Sequence, residues 1–201
     1  MIQAALDYYF DVEFHEYDIT TPNGQNSKIV DFISIGIVCE DGRTFYAVHN
    51  GFNLERAEEN KWISDNVLSR LPPQDQWLSM NEIRTNLKTF LSDNPAQFYY
   101  YFAPHDALIL LDLVKTSDHN IGIMSKPSHI RAPIDVAQDY IALGCPQYIY
   151  PDHENPHLKD MHNALSDAYW VKELKARIDD VKMATNEDTT KPKPPQPPSP
   201  S

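Results

Sequence analysis

A run of seven residues near the start of the chain, residues 8–14 (YYFDVEF), most constrains what this chain can fold into. In a β-strand, alternate side chains point to opposite faces, so four apolar residues share one face and Asp11 and Glu13 share the other. Two neighbouring carboxylates at the end of a buried strand repel each other and are costly to desolvate, unless water, cationic side chains or metal ions compensate. We interpret Asp11 and Glu13 as metal ligands.

The composition favours one domain in the cytoplasm. The chain has 201 residues, of which 41% are hydrophobic, enough for a single core. Its net charge of −12 argues against a protein that holds nucleic acid by a broad basic surface, but it is compatible with a nucleic-acid enzyme whose site carries its own cations. The two cysteines, Cys39 and Cys145, have no paired spacing, which predicts neither a disulfide framework nor a zinc cluster. We find no signal peptide and no apolar run of the ~18 residues that a membrane span needs.

Hydrophobic periodicity along the chain predicts an α/β domain. Three strands come first as a meander, over residues 8–14, 29–39 and 44–48, with a loop at residues 15–28. Helices and strands then alternate: helices over residues 54–71, 79–91, 104–114, 136–143 and 163–182, and strands over residues 97–103 and 130–134. This order predicts a mixed sheet, antiparallel in its first three strands and parallel beyond them, flanked by helices.

Two helix starts carry capping signals. Ser79 and Glu82 form a capping-box pattern, and Asp135 is a good N-cap for the helix that Gly144 ends. At the other end of the chain, residues 185–201 contain six of the 16 prolines and no large apolar side chain. We expect a folded domain over residues 1–184 and a disordered Pro-rich tail over residues 185–201.

Two further carboxylates lie where such a sheet converges. Asp106 follows the fourth predicted strand, and Asp167 lies in the last predicted helix. With Asp11 and Glu13 they make a set that fits two divalent cations about 4 Å apart, an arrangement suited to phosphodiester hydrolysis. His162, five residues before Asp167, is the candidate general base, because an imidazole of unperturbed pKa near ~6.5 accepts a proton near neutral pH.

Plainer interpretations stand beside this one. The D-x-E pair also fits a solvated strand end, Asp106 a helix cap, and Asp167 an acid on a helix surface. His153 and His157 are rivals of His162 for the base, but neither has an aspartate five residues further on. The ordered set favours the metal-site interpretation.

In order and spacing, these residues resemble the DEDDh 3′-5′ exonucleases of the RNase H-like superfold. The matching pieces are D-x-E at residues 11–13, Asp106 just after the fourth strand, and the H-x4-D motif from His162 to Asp167. The likeness covers about residues 7–182 and is closest to a compact branch of prokaryotic and phage exoribonucleases with D-x-E-F on strand one.

The resemblance implies an RNase H-like fold, two Mg²⁺ ions for which Mn²⁺ substitutes, and release of nucleoside 5′-monophosphates. It assigns His162 as the base and four carboxylates as metal ligands: Asp11, Glu13, Asp106 and Asp167. Many members of the family have Thr and then Gly after the glutamate, whereas this chain has Phe14 and His15.

Three residues are candidates for substrate contact. Phe14 belongs either to the core or to a platform on which the terminal base stacks, a contact worth ~1–3 kcal/mol. Trp62 is either the anchor of its helix or a wall of the nucleotide pocket, which the resemblance favours, with Asn66 as a partner of the 3′ end. We therefore expect a single-stranded nucleic acid 3′ end as substrate, with RNA favoured.

Several functions remain open from the sequence alone. Within the enzyme class, a proofreading-like 3′-5′ DNA exonuclease competes with the exoribonuclease. Outside that class, the sequence also fits a catalytically inactive nucleotide-binding module and a scaffold that binds partners through the Pro-rich tail. A homodimer is a further partner that the resemblance implies, since related enzymes often dimerise.

Overall fold

A five-stranded mixed sheet organises the computed structural model, which describes residues 5–91, 94–115, 126–149 and 160–189. In the order β3-β2-β1-β4-β5, the first three strands are antiparallel and the remaining pairings are parallel, which confirms the predicted fold class. The strands are β1 (Leu6–Thr20), β2 (Asn26–Cys39), β3 (Thr44–Val48), β4 (Ala96–Tyr100) and β5 (Ile134–Asp135).

Helices cover both faces of the sheet. They are α1 (Leu54–Glu59), α2 (Lys61–Asn66), α3 (Met80–Leu91), α4 (Pro104–Leu113), α5 (Val136–Ala142) and α6 (Ala164–Thr189), with 3-10 turns at Leu68–Arg70, Gln74–Gln76 and Gln147–Ile149. The main core joins α3 and α4 to the even-numbered side of β1, which includes Tyr8 and Phe10. Helices α5 and α6 pack with Tyr9 on the other side, the side to which alternation assigns Asp11 and Glu13.

The loop predicted over residues 15–28 is wrong, because most of it is strand. β1 continues to Thr20 and pairs with β2 from Asn26, and a short turn with Gly24 at φ +80° joins them. This ribbon extends beyond the neighbouring strands, since β4 pairs with β1 only through Tyr9 and β3 pairs with β2 only from Ser34. Toward the turn, Asp18, Thr20 and residues 26–28 are exposed, so the apolar alternation that identifies a strand is missing there.

The single helix predicted over residues 54–71 is also wrong. Asn60 has extended backbone angles (φ −81°, ψ 102°) and divides the segment into α1 and α2. Its side-chain oxygen accepts hydrogen bonds from the backbone N–H groups of Trp62 and Ile63, at 3.1 and 3.3 Å, and so caps α2. An N-cap residue inside an apolar periodic run thus starts a new helix rather than continuing the old one.

The remaining elements agree in type with the prediction and differ at their ends. Both predicted caps form, since Ser79 and Glu82 exchange capping-box hydrogen bonds and Asp135 accepts from Ala137 N at 2.9 Å. The predicted strand at residues 130–134 is mostly absent: Ile130 forms only an isolated bridge and β5 begins at Ile134. Helix α6 continues seven residues beyond the predicted end at residue 182.

Residues 190–201 and the rival histidines at positions 153 and 157 lie outside the described residues. Among the described helices, none has the length and apolar character needed to cross a bilayer.

Candidate active site

A close approach of helix to strand brings the first and last predicted motifs together. In the register of β1 and β2, Asp11 lies opposite Gly36. A Cβ atom on Gly36 would lie 2.2 Å from the backbone nitrogen of Leu165 and 2.3 Å from the carbonyl oxygen of Ala164. The first turn of α6 therefore rests directly on β2 next to Asp11, and only glycine leaves room for it.

The start of α6 fixes His162 and Asp167 relative to each other. Asn163 caps the helix, since its side-chain oxygen accepts from the backbone N–H groups of Leu165 and Ser166 at 3.2 and 3.3 Å. The backbone N–H of His162 donates to Asp167 Oδ2 at 2.8 Å. His162 has a left-handed backbone (φ +64°), a conformation that a non-glycine residue holds only when its surroundings enforce it.

Glu13, His162 and Asp167 form a group that can hold a metal ion. One ligand atom from each side chain lies within 4.8 Å of the other two, although the residues come from β1, the loop before α6 and α6 itself. Carboxylate oxygen and imidazole nitrogen are both common metal ligands. The H-x4-D spacing and the D-x-E motif therefore meet at one point in the fold.

Asp106 approaches the same place from the other half of the sheet. It lies in the first turn of α4, its residue is fully buried, and among the described residues neither carboxylate oxygen has a hydrogen-bond partner. The interpretation of Asp106 as a helix cap is wrong, because the N-cap is Ala103 and no side-chain cap bond forms. A buried carboxylate without hydrogen bonds is costly unless a cation binds it.

The raised pKa values of Asp11, Glu13 and Asp106 reflect this cost. Burial, and after it the charges of Asp106, Glu13 and Asp167, raises the pKa of Asp11 well above its ordinary range. Burial and then Asp167 raise the pKa of Glu13 to about 8, against a lowering by Arg70. Burial followed by Glu13 and Asp167 raises the pKa of Asp106 to about 8. Three acids with such pKa values, repelled further by the charge of Asp167, fit a site for divalent cations, because a cation makes the ionised forms favourable.

The pKa of His162 is shifted in the direction that keeps its imidazole unprotonated. Burial, and secondarily the charge of Arg70, lowers the pKa of His162 below its ordinary value of 6.5. The imidazole is consequently neutral at pH 7 and able to accept a proton. Trp62 lies against it, with ring centroids 4.9 Å apart in an edge-to-face arrangement.

The three predicted substrate-contact residues lie in different settings. Trp62 is 52% exposed beside His162, so one part of its ring is open to solvent. The side-chain amide of Asn66 donates to the carbonyl of Trp62 at 2.9 Å, within the same helix. Phe14 is half-buried against the main core and contacts the ring of His105 with centroids 5.3 Å apart. The core and the stacking interpretations of Phe14 thus both keep some support.

The sequence reasoning missed three residues near these motifs. Arg70 donates from Nε to the carbonyl of Met161, next to His162, and no local pattern in the sequence indicates this contact. The hydroxyl of Tyr46 accepts a hydrogen bond from Asn163 Nδ2 at 3.4 Å. Phe102, four residues before Asp106, is exposed and has a left-handed backbone (φ +63°), which no local pattern indicated.

Comparison with known proteins identifies two relatives by sequence. No family model matches the chain. A protein of Mycobacterium tuberculosis strain CDC 1551 and one of strain H37Rv, both named 3′-5′ exoribonuclease, are each 31% identical to it over 170 residues. The match covers 81% of this chain and 87% of each relative. The chain therefore belongs to the same family of 3′-5′ exonucleases as these two proteins.

Proposed function

We propose that this protein is a metal-dependent exoribonuclease of the DEDDh type, which removes nucleoside 5′-monophosphates one at a time from the 3′ end of single-stranded RNA. The observation that carries the proposal is the convergence of Asp11, Glu13, Asp106 and Asp167 with His162 beside them. The name of the two mycobacterial relatives supports RNA as the substrate.

The four carboxylates would hold two Mg²⁺ ions, with Mn²⁺ able to replace them. When bound, the ions would supply the positive charge that binds phosphate oxygens and activates water. The chain's own contribution is to keep the oxygen ligands in place: β1 supplies Asp11 and Glu13, the first turn of α4 supplies Asp106, and the first turn of α6 supplies Asp167.

His162 would take a proton from the attacking water at an imidazole nitrogen. Its lowered pKa keeps the ring neutral at pH 7, and its position within 4.8 Å of Glu13 and Asp167 ligand atoms brings it to the reacting centre. Trp62, with half of its surface exposed beside this ring, would contact the terminal nucleotide, and Phe14 and Asn66 remain candidates for that contact. We therefore expect an unpaired 3′ end as substrate, because the site must engage the last nucleotide.

Substitution of two ligands from different elements tests the proposal. We expect Asp11→Ala and Asp167→Asn to abolish Mg²⁺-dependent release of mononucleotides from a labelled RNA oligonucleotide while circular dichroism shows a folded protein. Asp65→Asn is a matched control, because Asp65 is an exposed carboxylate on α2 that pairs with Lys61. Wild-type activity in either ligand variant would contradict the proposal.

The remaining predictions belong to the same proposal. DNA as the preferred substrate is the alternative, and the same assay with matched DNA separates the two. A folded wild-type protein with no activity on either would leave the nucleotide-binding module and the scaffold as candidates. Residues 1–184 would form the exonuclease domain, so deleting residues 185–201 would leave the activity unchanged. A homodimer and a cytoplasmic location are part of the proposal, and light scattering during size-exclusion chromatography tests the dimer.

A further inference from the structure

We propose that Arg70 is a positioning residue, which holds the loop at Met161 and thereby keeps the imidazole of His162 over the carboxylates. This inference rests on the proposed function of His162 as the base. Arg70 contacts a residue that is distant in sequence, since Arg70 and Met161 are 91 positions apart.

The contact itself is specific. Arg70 ends the 3-10 turn Leu68–Arg70 that follows α2, and its Nε donates a hydrogen bond to the carbonyl oxygen of Met161. That carbonyl belongs to the peptide that joins Met161 to His162. The bond therefore acts on the backbone that carries the imidazole and leaves the imidazole nitrogens available for chemistry.

The backbone at His162 needs such support. A φ of +64° is unfavourable in a non-glycine residue and persists where neighbouring bonds enforce it. The peptide before His162 is held at both of its polar groups: its N–H, from His162, donates to Asp167, and its carbonyl, from Met161, accepts from Arg70, which belongs to a different part of the fold. On the C-terminal side of His162, Asn163 caps α6.

A second contact comes from the same segment. We call residues 61–70, which comprise α2 and the following turn, the α2 arm. Trp62 of the α2 arm packs its ring edge-to-face on the ring of His162, at 4.9 Å between centroids, while Arg70 holds the backbone beside it. Asn66 lies between them in sequence and donates to the carbonyl of Trp62. The spacing of four residues places Trp62 and Asn66 on one side of α2.

Arg70 also has a competing interpretation as a direct ligand of a substrate phosphate, because a guanidinium is well suited to that contact. The two roles differ in what they change. A residue that binds phosphate contributes to KM and acts whether or not His162 is present. A residue that positions His162 contributes to kcat and has nothing left to position once the imidazole is removed.

A double-mutant cycle measures this difference. We expect Arg70→Met to lower kcat on an RNA oligonucleotide by about tenfold to a hundredfold, with KM changed by less than about twofold. In the His162→Ala background, Arg70→Met should lower kcat by less than about threefold. Arg70→Gln keeps a side-chain donor for the Met161 carbonyl and should recover part of the loss. Lys61→Met removes an exposed cation from the same α2 arm and should behave as wild type.

A loss of similar size in both backgrounds would overturn the proposal, as would a rise in KM with kcat unchanged. Thermal unfolding of each variant identifies any that do not fold, and Arg70→Gln and Arg70→Lys then replace Arg70→Met in the cycle.

A spectroscopic readout separates this inference from the proposed function. In the metal-free protein, the ¹³C–¹H signals of the His162 ring are identified by their absence in His162→Ala. We expect Arg70→Met to shift or broaden these signals, Arg70→Gln, which also removes the charge but keeps a donor, to leave them nearer to wild type, and Lys61→Met to leave them in place. Unchanged His162 signals in Arg70→Met would refute the positioning role whether or not the protein degrades RNA, and shifted signals in an inactive protein would support it while the proposed function fails.

Discussion

A methyl group at Gly36 tests whether the seating of α6 on β2 sets the geometry of the candidate site. The Cβ atom of an alanine would lie 2.2–2.3 Å from backbone atoms of Ala164 and Leu165, whereas ordinary contact begins at 3.4 Å. These are backbone atoms and cannot rotate aside, so the start of α6 must move away by about 1 Å or more. Asp167 and His162 move with it, while Asp11 and Glu13 stay on β1.

The size of the effect follows from this displacement. Overpacking a tight interface costs about 1–3 kcal/mol of unfolding free energy, and a 1 Å misplacement of catalytic groups costs about a hundredfold in rate. We therefore expect Gly36→Ala to fold, to unfold at a lower temperature, and to release mononucleotides about a hundredfold more slowly than wild type. Steady-state kinetics on RNA and thermal unfolding followed by circular dichroism measure both quantities.

A second glycine offers a control for this substitution. A Cβ on Gly51 meets only the side-chain ring of His49, at 2.9 Å, and a side chain can turn away. We expect Gly51→Ala to retain activity within about twofold. If Gly36→Ala also kept its rate and its unfolding temperature, the account of how α6 positions Asp167 would be refuted.

Three further predictions concern the charges of the site. In EDTA, thermal stability should fall as pH rises from about 4.5 to about 8, because the folded state holds protons on Glu13 and Asp106 that the unfolded state has released. Mg²⁺ should therefore raise the unfolding temperature more at pH 8 than at pH 6. Equal rises at the two pH values would contradict this prediction. At pH 8 without metal, Asp106→Asn should unfold at or above the wild-type temperature, but Mg²⁺ should no longer raise its unfolding temperature. An unfolding temperature below that of wild type without metal would show that the protein itself already stabilises the charge of the Asp106 carboxylate. His162→Ala should lower kcat by about a hundredfold or more with a smaller change in Mn²⁺ affinity by calorimetry, and a comparable loss of affinity would assign His162 as a ligand.

Local patterns were sufficient for the parts of the fold that they encode. The alternation around Asp11 and Glu13 predicted β1, and the capping box at Ser79 predicted the start of α3, because both signals arise within a few residues. The same local reasoning failed at Asn60, where the apolar periodicity continues across a helix boundary that one side-chain cap creates. It also failed for residues 15–28, where β1 and β2 continue as a polar ribbon. Most of these residues pair as strands, but buried and exposed side chains do not alternate along them.

The candidate site shows a different limit. The order of candidate ligands along the chain is visible in sequence, so the motif spacing could nominate the acids and His162, whose roles stay a prediction. Gly36 signals a close approach in a strand but does not name its partner, which is the first turn of α6. The bond from Arg70 to Met161 joins segments far apart in sequence, so no local pattern contains it.

The most direct test of the central claim is product analysis on four matched oligonucleotides: single-stranded RNA and DNA of one sequence, each with a free or a phosphate-blocked 3′ end. With Mg²⁺ or Mn²⁺, we predict that the protein converts the free-ended RNA stepwise to nucleoside 5′-monophosphates, that the DNA reacts more slowly, and that both blocked substrates and all EDTA reactions remain intact. Cleavage of the blocked RNA at internal positions, or mononucleotide release in EDTA, would contradict the account.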